Sequence, residues 1–300
     1  MPEVVIVTGG DAAYYPLLEE LAQSVRDRRG PGEIGLAVID GGLTPEQKHE
    51  LATVYDARIL ELGWTFDIAA SRIKGRDHLK VLTSRSFLDQ HLTEYEVIIW
   101  IDGDAWVQDF AAIDMMAAAA RKQRLVVVSQ TSRYSQVVMT LKWAAFGYAK
   151  VKAQLYKNAR RAGLPEAEAR LVGDKPTFNA GVFAIAPDAP HWAAWRKRIE
   201  QVIRKGRVFT ADQLAMGLMV HADGLAVEHA PEICNYMGPW TCSADEATLV
   251  ERYIPNAPVG VIHMAGYDAL RRDKALTVPI ETLDGRTVHK SLRYFAWRKA

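Results

Sequence analysis

Glu96 to Asp109 reads EVIIWIDGDAWVQD, and the abrupt end of its apolar run decides how the whole chain is read. Val97 to Ile101 is β-branched and aromatic, carries no charge and is too short for a free-standing helix, which predicts a buried strand. Asp102 and Asp104 then stand where that strand leaves its sheet. In open α/β sheets ligands bind beyond the carboxyl ends of the strands, so two carboxylates placed there can hold a hard divalent cation together. Gly103 between them adds no side chain, which would let a phosphate come close. The same Asp-Gly-Asp is also ordinary turn chemistry.

Upstream, strands and helices alternate. Val4 to Val7 leads through Thr8-Gly9-Gly10-Asp11 into a helix on which Leu17, Leu18, Leu21 and Val25 recur. Ile34 to Ile39 is a second strand ending in Asp40-Gly41-Gly42. Thr44-Pro45-Glu46-Gln47 then opens a helix with a capping box, Thr as N-cap and Gln three residues on. Arg58 to Leu62 is a short third strand, and Asp77 to His91 a helix carrying Leu79, Leu82 and Phe87. Such alternation predicts a mostly parallel sheet with right-handed crossovers. Downstream, a helix by Asp114 leads to the strand Leu125 to Ser129.

The 300 residues suffice for one large α/β domain and show no compositional break. Charge is nearly balanced, 37 Lys and Arg against 36 Asp and Glu, so no nucleic-acid partner is expected. Cys234 and Cys242 are too few for a disulfide scaffold or a zinc site. The chain opens on a strand rather than a charged and apolar leader, and no segment is apolar enough to span a bilayer, so a cytoplasmic location is expected.

Arg133 to Arg170 mixes aromatics (Tyr134, Trp143, Phe146, Tyr148, Tyr156) with basics (Lys142, Lys150, Lys152, Lys157, Arg160, Arg161), which predicts a basic amphipathic helix, either a membrane-surface or acidic-partner element or, favoured here, a solvated face covering one side of the site. Phe178 to Ile185 follows as a strand. At its entry Asn179 offers donor and acceptor groups, while Gly181 keeps bulk out of the cleft. A helix with Trp192, Trp195 and Ile199 precedes Thr210-Ala211-Asp212-Gln213, where Thr210 or Asp212 caps an apolar helix and the Asp-Gln pair can face a polyol. Val259 to Ile262 is a strand ending in His263-Met264-Ala265-Gly266. Its histidine is a plausible third ligand, since manganese accepts imidazole alongside carboxylates. The basic run Arg271, Arg272 and Lys274 comes next. The tail, His289 to Lys299, is basic and aromatic; it suits either a docked terminal helix or peripheral contact with anionic lipid.

In this order the features resemble a GT-A fold glycosyltransferase, most closely the family 8 retaining type. The match rests on the early strand with Asp11 and Tyr14, the IDGG-TPEQ turn, IWIDGD, and FNAGV followed by ADQ and IHMAG. The resemblance implies an α/β, Rossmann-like catalytic domain over 1–300 with a mostly parallel central sheet flanked by helices. Within it 1–132 would form the nucleotide-binding half, 133–172 a helical insertion, 173–275 the sugar and acceptor half, and 276–300 a basic aromatic extension. It also implies transfer of a hexose, with retention, from a nucleotide-diphosphate sugar such as a UDP-sugar to a glycan or lipid-linked acceptor. Asp102, Asp104 and His263 would hold Mn²⁺ or Mg²⁺. Thr8, Gly9, Asp11, Tyr14, Arg76, Gly103, Asn179, Gly181 and Gly266, with Asp102, would line the donor site. Asp212 and Gln213 would act on the sugar, and Lys274, from the basic run, on the leaving phosphate. Where the family often has Asn after the early Asp, this chain has Ala12-Ala13, and it lacks the family's Lys-Pro-Trp triplet.

Other readings start from the same carboxylates. A haloacid dehalogenase phosphatase also uses a strand-end DxD, usually near the N-terminus and followed by Thr or Val; here Ala105-Trp106 follows at mid-chain. A sugar nucleotidyltransferase usually begins with a Gly-rich loop holding a basic residue, which Thr8 to Asp11 lacks. A non-catalytic nucleotide-sugar or glycan-binding protein of the same fold would bind without turnover.

Overall fold

The computed structural model describes residues 3–29, 34–130, 139–143, 147 and 149–298. Its central sheet is built as the alternation requires. Strands β1 (Val4–Gly10), β2 (Gly35–Asp40) and β3 (Ala57–Leu60) are separated by helices α1 (Tyr15–Arg29) and α2 (Pro45–Val54). The capping box forms: Thr44 Oγ1 accepts the Gln47 N–H, and Gln47 Oε1 accepts the Thr44 N–H. Gln47 also donates to the Ala12 carbonyl at 3.3 Å, tying this cap to the loop after β1.

Asp77 to His91 is not one α-helix. After α3 (Ala70–Ile73), α4 (Leu79–Ser84) gives way to a 3₁₀ helix at Arg85–Gln90. The hydroxyls of Thr83 and Ser84 both donate to the Lys80 carbonyl, and Ser86 donates to Thr83, back-bonding of the kind that bends a helix. The tightened turn begins at Arg85.

The motif strand β4 (Val97–Ile101) is buried at every position and runs parallel to β1. Beyond it lie β5 (Ala105–Val107), α5 (Phe110–Ala120) and β6 (Leu125–Ser129). The next segment departs from the expected helix: β7 (Met139–Trp143) and β8 (Ala149–Ala153) form an antiparallel ribbon, followed by α6 (Gln154–Arg161) and α7 (Glu166–Leu171). Arg133, Tyr134, Phe146 and Tyr148 lie outside the described residues.

Strand β9 (Phe178–Ile185) runs antiparallel between β4 and β6. With α8 (His191–Ile203), α9 (Ala211–His221) and β10 (Val227–His229), it completes a seven-stranded sheet of order β10-β6-β9-β4-β1-β2-β3. Both faces are covered. Ile98 and Trp100 pack toward α4, α8 and α9, whereas Val97, Ile99 and Ile101 pack toward α1 and α5. This is an α/β fold with a mostly parallel central sheet flanked by helices.

A smaller sheet closes the chain. Strands β11 (Thr241–Cys242), β12 (Leu249–Val250), β14 (Val278–Thr282) and β15 (Thr287–Lys290) are ordered β12-β11-β14-β15. Between them, β13 (Val261–His263) pairs with β5, and α10 (Asp268–Arg272) follows. The terminal segment is neither a docked helix nor a free tail. Leu292, Tyr294 and Trp297 are buried in a core with Trp106, Tyr236 and Ile280, and Trp106 Nε1 donates to the Leu292 carbonyl. Two of its three aromatics are thus taken from any lipid-facing role, while Phe295 stays exposed. Among the described residues no helix is long and apolar enough to cross a membrane.

Candidate functional site

Three strands bring the candidate ligating groups together. Because β9 is antiparallel, its N-terminal end lies at the carboxyl edge of β4, and the Asp102 N–H donates to the Gly181 carbonyl at 2.7 Å. The register of β13 on β5 pairs His263 with Ala105, beside Asp104, and the Met264 N–H donates to the Asp104 carbonyl at 3.0 Å. One ligand atom from each of Asp102, Asp104 and His263 lies within 4.8 Å of the others.

Each carboxylate divides its oxygens between protein and cluster. Asp102 Oδ1 accepts Trp100 Nε1 at 2.7 Å and Arg85 Nη1 at 3.3 Å; Oδ2 faces His263 Nε2 at 3.9 Å. Asp104 Oδ2 accepts Arg271 Nη1 at 2.7 Å; Oδ1 faces His263 Nε2 at 3.3 Å. His263 Nδ1 lies 2.8 Å from Asn235 Oδ1. An amide oxygen can only accept, so Nδ1 carries the proton when the ring is neutral and the Nε2 lone pair points at both carboxylates. A histidine whose far nitrogen is held by such an acceptor is aimed to offer its other nitrogen to a metal ion. Gly181 leaves the room: a Cβ there would lie 2.4 Å from His263 Cε1 and 2.8 Å from Asp102 Oδ2. Two carboxylate oxygens and one imidazole nitrogen suit Mn²⁺ or Mg²⁺ better than a thiophilic ion.

The charges of the cluster bear on one another. Burial opposes ionisation of Asp104, but the His263 hydrogen bond and the charges of His263 and Arg271 outweigh it and hold its carboxyl below the usual range. Burial likewise opposes the His263 imidazolium, and Asp104 and then Asp102 outweigh it, raising the histidine. Tyr14, whose hydroxyl accepts from Arg271 at 2.8 Å, is pushed up to about 12 by burial, with Asp104 adding to it.

Arg85 is the functional side chain that the sequence did not announce. It is 2% exposed, ion-pairs with Asp212 Oδ2, donates to the Ala180 carbonyl at 2.9 Å and lies over the Trp100 ring. Burial lowers its pKa against the opposing pull of Asp102. It thereby joins the N-terminus of α9 to the end of β4. Asp212 spends its other oxygen on the Gln213 N–H, which leaves the half-buried Gln213 side chain as the adaptable polar group there.

The remaining expected residues divide. Asp11 accepts the N–H groups of Ala13 and Tyr14, and Thr8 is buried, its hydroxyl without a partner among the described residues. Asn179 accepts the Gly181 N–H at 2.8 Å, the local bond expected of a strand-entry Asn. A Cβ on Gly9 would meet Val81 Cγ1 at 2.7 Å, and one on Gly103 would meet Leu18 Cδ2 at 2.7 Å. Gly103 therefore admits Leu18 of helix α1. Gly266 is exposed with φ +83°, a backbone requirement rather than a contact. Two residues are not brought to the cluster. Arg76 is exposed and bonds the carbonyls of Arg72 and Ile73, and Lys274 is exposed near Glu19. Of the basic run, Arg271 reaches the carboxylates. No local signal marks Arg85 or Asn235, whose partners are distant in sequence.

No protein-family model matches the chain, and no curated protein sequence matches it. Solved structures do. The galactosyltransferase LgtC, in complex with donor and acceptor sugar analogs, is 16% identical over 87% of each chain with a TM-score of 0.52. The bifunctional WbbM glycosyltransferase is 13% identical, TM-score 0.54, over 88% of this chain and 46% of its own. GlyE of Streptococcus pneumoniae TIGR4 is 13% identical, TM-score 0.51, over 99% of this chain and 60% of its own. The chain shares the GT-A fold of these glycosyltransferases.

Proposed function

We propose that the protein is a metal-dependent glycosyltransferase that moves a hexose from a nucleotide-diphosphate sugar, with UDP as the nucleotide, to a glycan or lipid-linked acceptor with retention. The observation that carries this reading is the convergence of Asp102 Oδ2, Asp104 Oδ1 and His263 Nε2, each aimed by protein partners on its opposite side. A divalent ion held there would serve as Lewis acid toward the leaving diphosphate. The chain's own residues do the rest. Thr8, Asp11 and Tyr14 line the nucleoside end. Arg271 supplies a fixed positive charge beside Asp104, in the role that the family resemblance implies for Lys274. Arg85 holds Asp212 at the start of α9 and so keeps Gln213 at the site, where its amide oxygen would offer a dipole to the positive charge that develops on the sugar ring. Retention follows the family resemblance, with the leaving phosphate accepting the acceptor's proton.

The test is release of nucleoside diphosphate from a panel of UDP-, GDP- and TDP-hexoses, with and without Mn²⁺ and with glycan acceptors. Metal-dependent release from one donor, lost in Asp102→Asn and Asp104→Asn, is the expected result. Donor binding without turnover would make the protein a binder. Release of inorganic phosphate from phosphomonoesters, with no action on any donor, would make it a phosphatase. The anomer of the product, read by NMR, decides retention.

A further inference from the structure

Arg293 and Glu20 are 4% and 2% exposed, and lie at opposite ends of the chain outside the cluster. Their ion pair is 2.5 Å, and the second Glu20 oxygen accepts the Tyr294 N–H at 2.8 Å. The same guanidinium donates to the Arg271 carbonyl at 3.1 Å and to the Pro16 carbonyl at 3.5 Å. Pro16 lies two residues beyond Tyr14, and the Arg271 side chain reaches both the Tyr14 hydroxyl and Asp104 Oδ2. One buried cation therefore grips the backbone on both sides of the Arg271–Tyr14 contact. A hydrophobic pair of similar volume would stabilise the terminus at least as well as a buried ion pair. It could not offer a planar fork of donors to two carbonyls at once.

We infer that Glu20 and Arg293 form a positioning unit for Arg271. The unit fixes Arg271 against Tyr14 and Asp104 and thereby sets the Asp104 carboxylate for the metal. The segment from Ser291 to Trp297 then belongs to the donor site without touching it. This deepens the glycosyltransferase reading and rests on it for what Asp104 binds, though not for the brace itself.

The decisive variant is Glu20→Gln with Arg293→Met, which removes both charges and strands neither. Mn²⁺ affinity, titrated by electron paramagnetic resonance on the full chain, is expected to fall about tenfold, the scale of an outer-shell partner. The loss should vanish when the same pair is introduced into an Arg271→Gln background, because contacting residues couple. A lower melting temperature with unchanged Mn²⁺ affinity, or an equal loss in both backgrounds, would overturn the inference. A second readout needs no metal: the Arg271 guanidinium signals in a ¹⁵N-arginine spectrum should exchange faster in the double variant, and unchanged exchange would also overturn it. If the wild-type protein binds no Mn²⁺, the metal reading falls and the arginine spectrum alone decides the brace. Should the double variant not fold, Arg293→Lys, which keeps the charge but loses the fork, is judged by the same two measurements.

Discussion

The two sheets serve the site by opposite means. The seven-stranded sheet supplies Asp102, Asn179 and Gly181 from its own strand ends, each fixed by the strand it terminates or enters. The C-terminal sheet supplies no ligand. It anchors a segment that carries Asn235, His263 and Arg271 inward and ties them to residues far away in sequence. In the first region the register of neighbouring strands of one sheet places each group; in the second the short pairing of β13 on β5 places His263, and long-range side-chain bonds add to it. Substitutions should therefore fail differently in the two.

The largest effect is expected where a side chain crosses from one strand end to another. Arg85→Met leaves Asp212 in the interior with its charge and without its partner, a loss of about 3–5 kcal/mol. Urea unfolding measures it. Adding Asp212→Leu should recover much of the stability, while donor turnover stays lost in both variants. A stability loss unchanged in the double variant would show that Arg85 acts through packing on Trp100 rather than through charge.

Gly181→Ala tests register most directly. The added carbon would sit inside the triangle of His263, Asp102 and Asn179, and none of the three can retreat without losing its own bond. Overpacking of this kind costs about 1–3 kcal/mol. Mn²⁺ affinity should fall by more than about a hundredfold, beyond what an outer-shell change produces. Near-normal Mn²⁺ binding in this variant would mean that the cation sits elsewhere.

That contrast also explains what the sequence disclosed. Asp102 and Asp104 were legible because a charged pair after an uninterrupted apolar run has a position as soon as the strand has one. The Thr44–Gln47 cap was legible because its chemistry is local. The Asp77 to His91 helix was misread past Ser84 because apolar spacing does not register hydroxyls that bond back to a carbonyl. Arg85 and Asn235 were invisible for a related reason: their partners lie 17 and 28 residues away, and no local pattern encodes those contacts. The terminal Tyr294 and Trp297 showed the converse. Their aromatic and basic setting suggested a surface, yet both are buried in one core with Trp106, two residues after Asp104, and the Tyr294 ring packs on it.

A smaller change should separate the two kinds of positioning. Asn235→Ala removes the acceptor that holds His263 Nδ1–H, along with one long bond of 3.5 Å to the Asn179 carbonyl on β9, and leaves every strand-to-strand backbone bond in place. Mn²⁺ affinity should fall about tenfold, with melting temperature nearly unchanged. The first region offers no equivalent variant, because there aim and fold are one property.

The smallest expected effect concerns pH, in the helices that cover the sheet away from the cluster. Burial lowers the pKa of His191, whose Nε2 lies 2.7 Å from the Ala226 carbonyl, and of His221, at 2.9 Å from the Pro176 carbonyl. Each ring therefore binds its proton less readily in the fold than in the unfolded chain, which takes it up at about pH 6.5. Between the folded and unfolded values the unfolded state binds more protons. Stability is therefore complete above about pH 6.5 and declines as the pH falls below it. Urea midpoints at pH 7.5 and 5.5 measure the decline. His191→Gln keeps a donor for the Ala226 carbonyl and removes the titration, so its midpoint should change less between the two pH values than that of the wild type. An equal change in both would assign the acid sensitivity to His221 or to the carboxylates, Asp104 first among these, since the His263 hydrogen bond and the charges of His263 and Arg271 hold its carboxyl below the usual range.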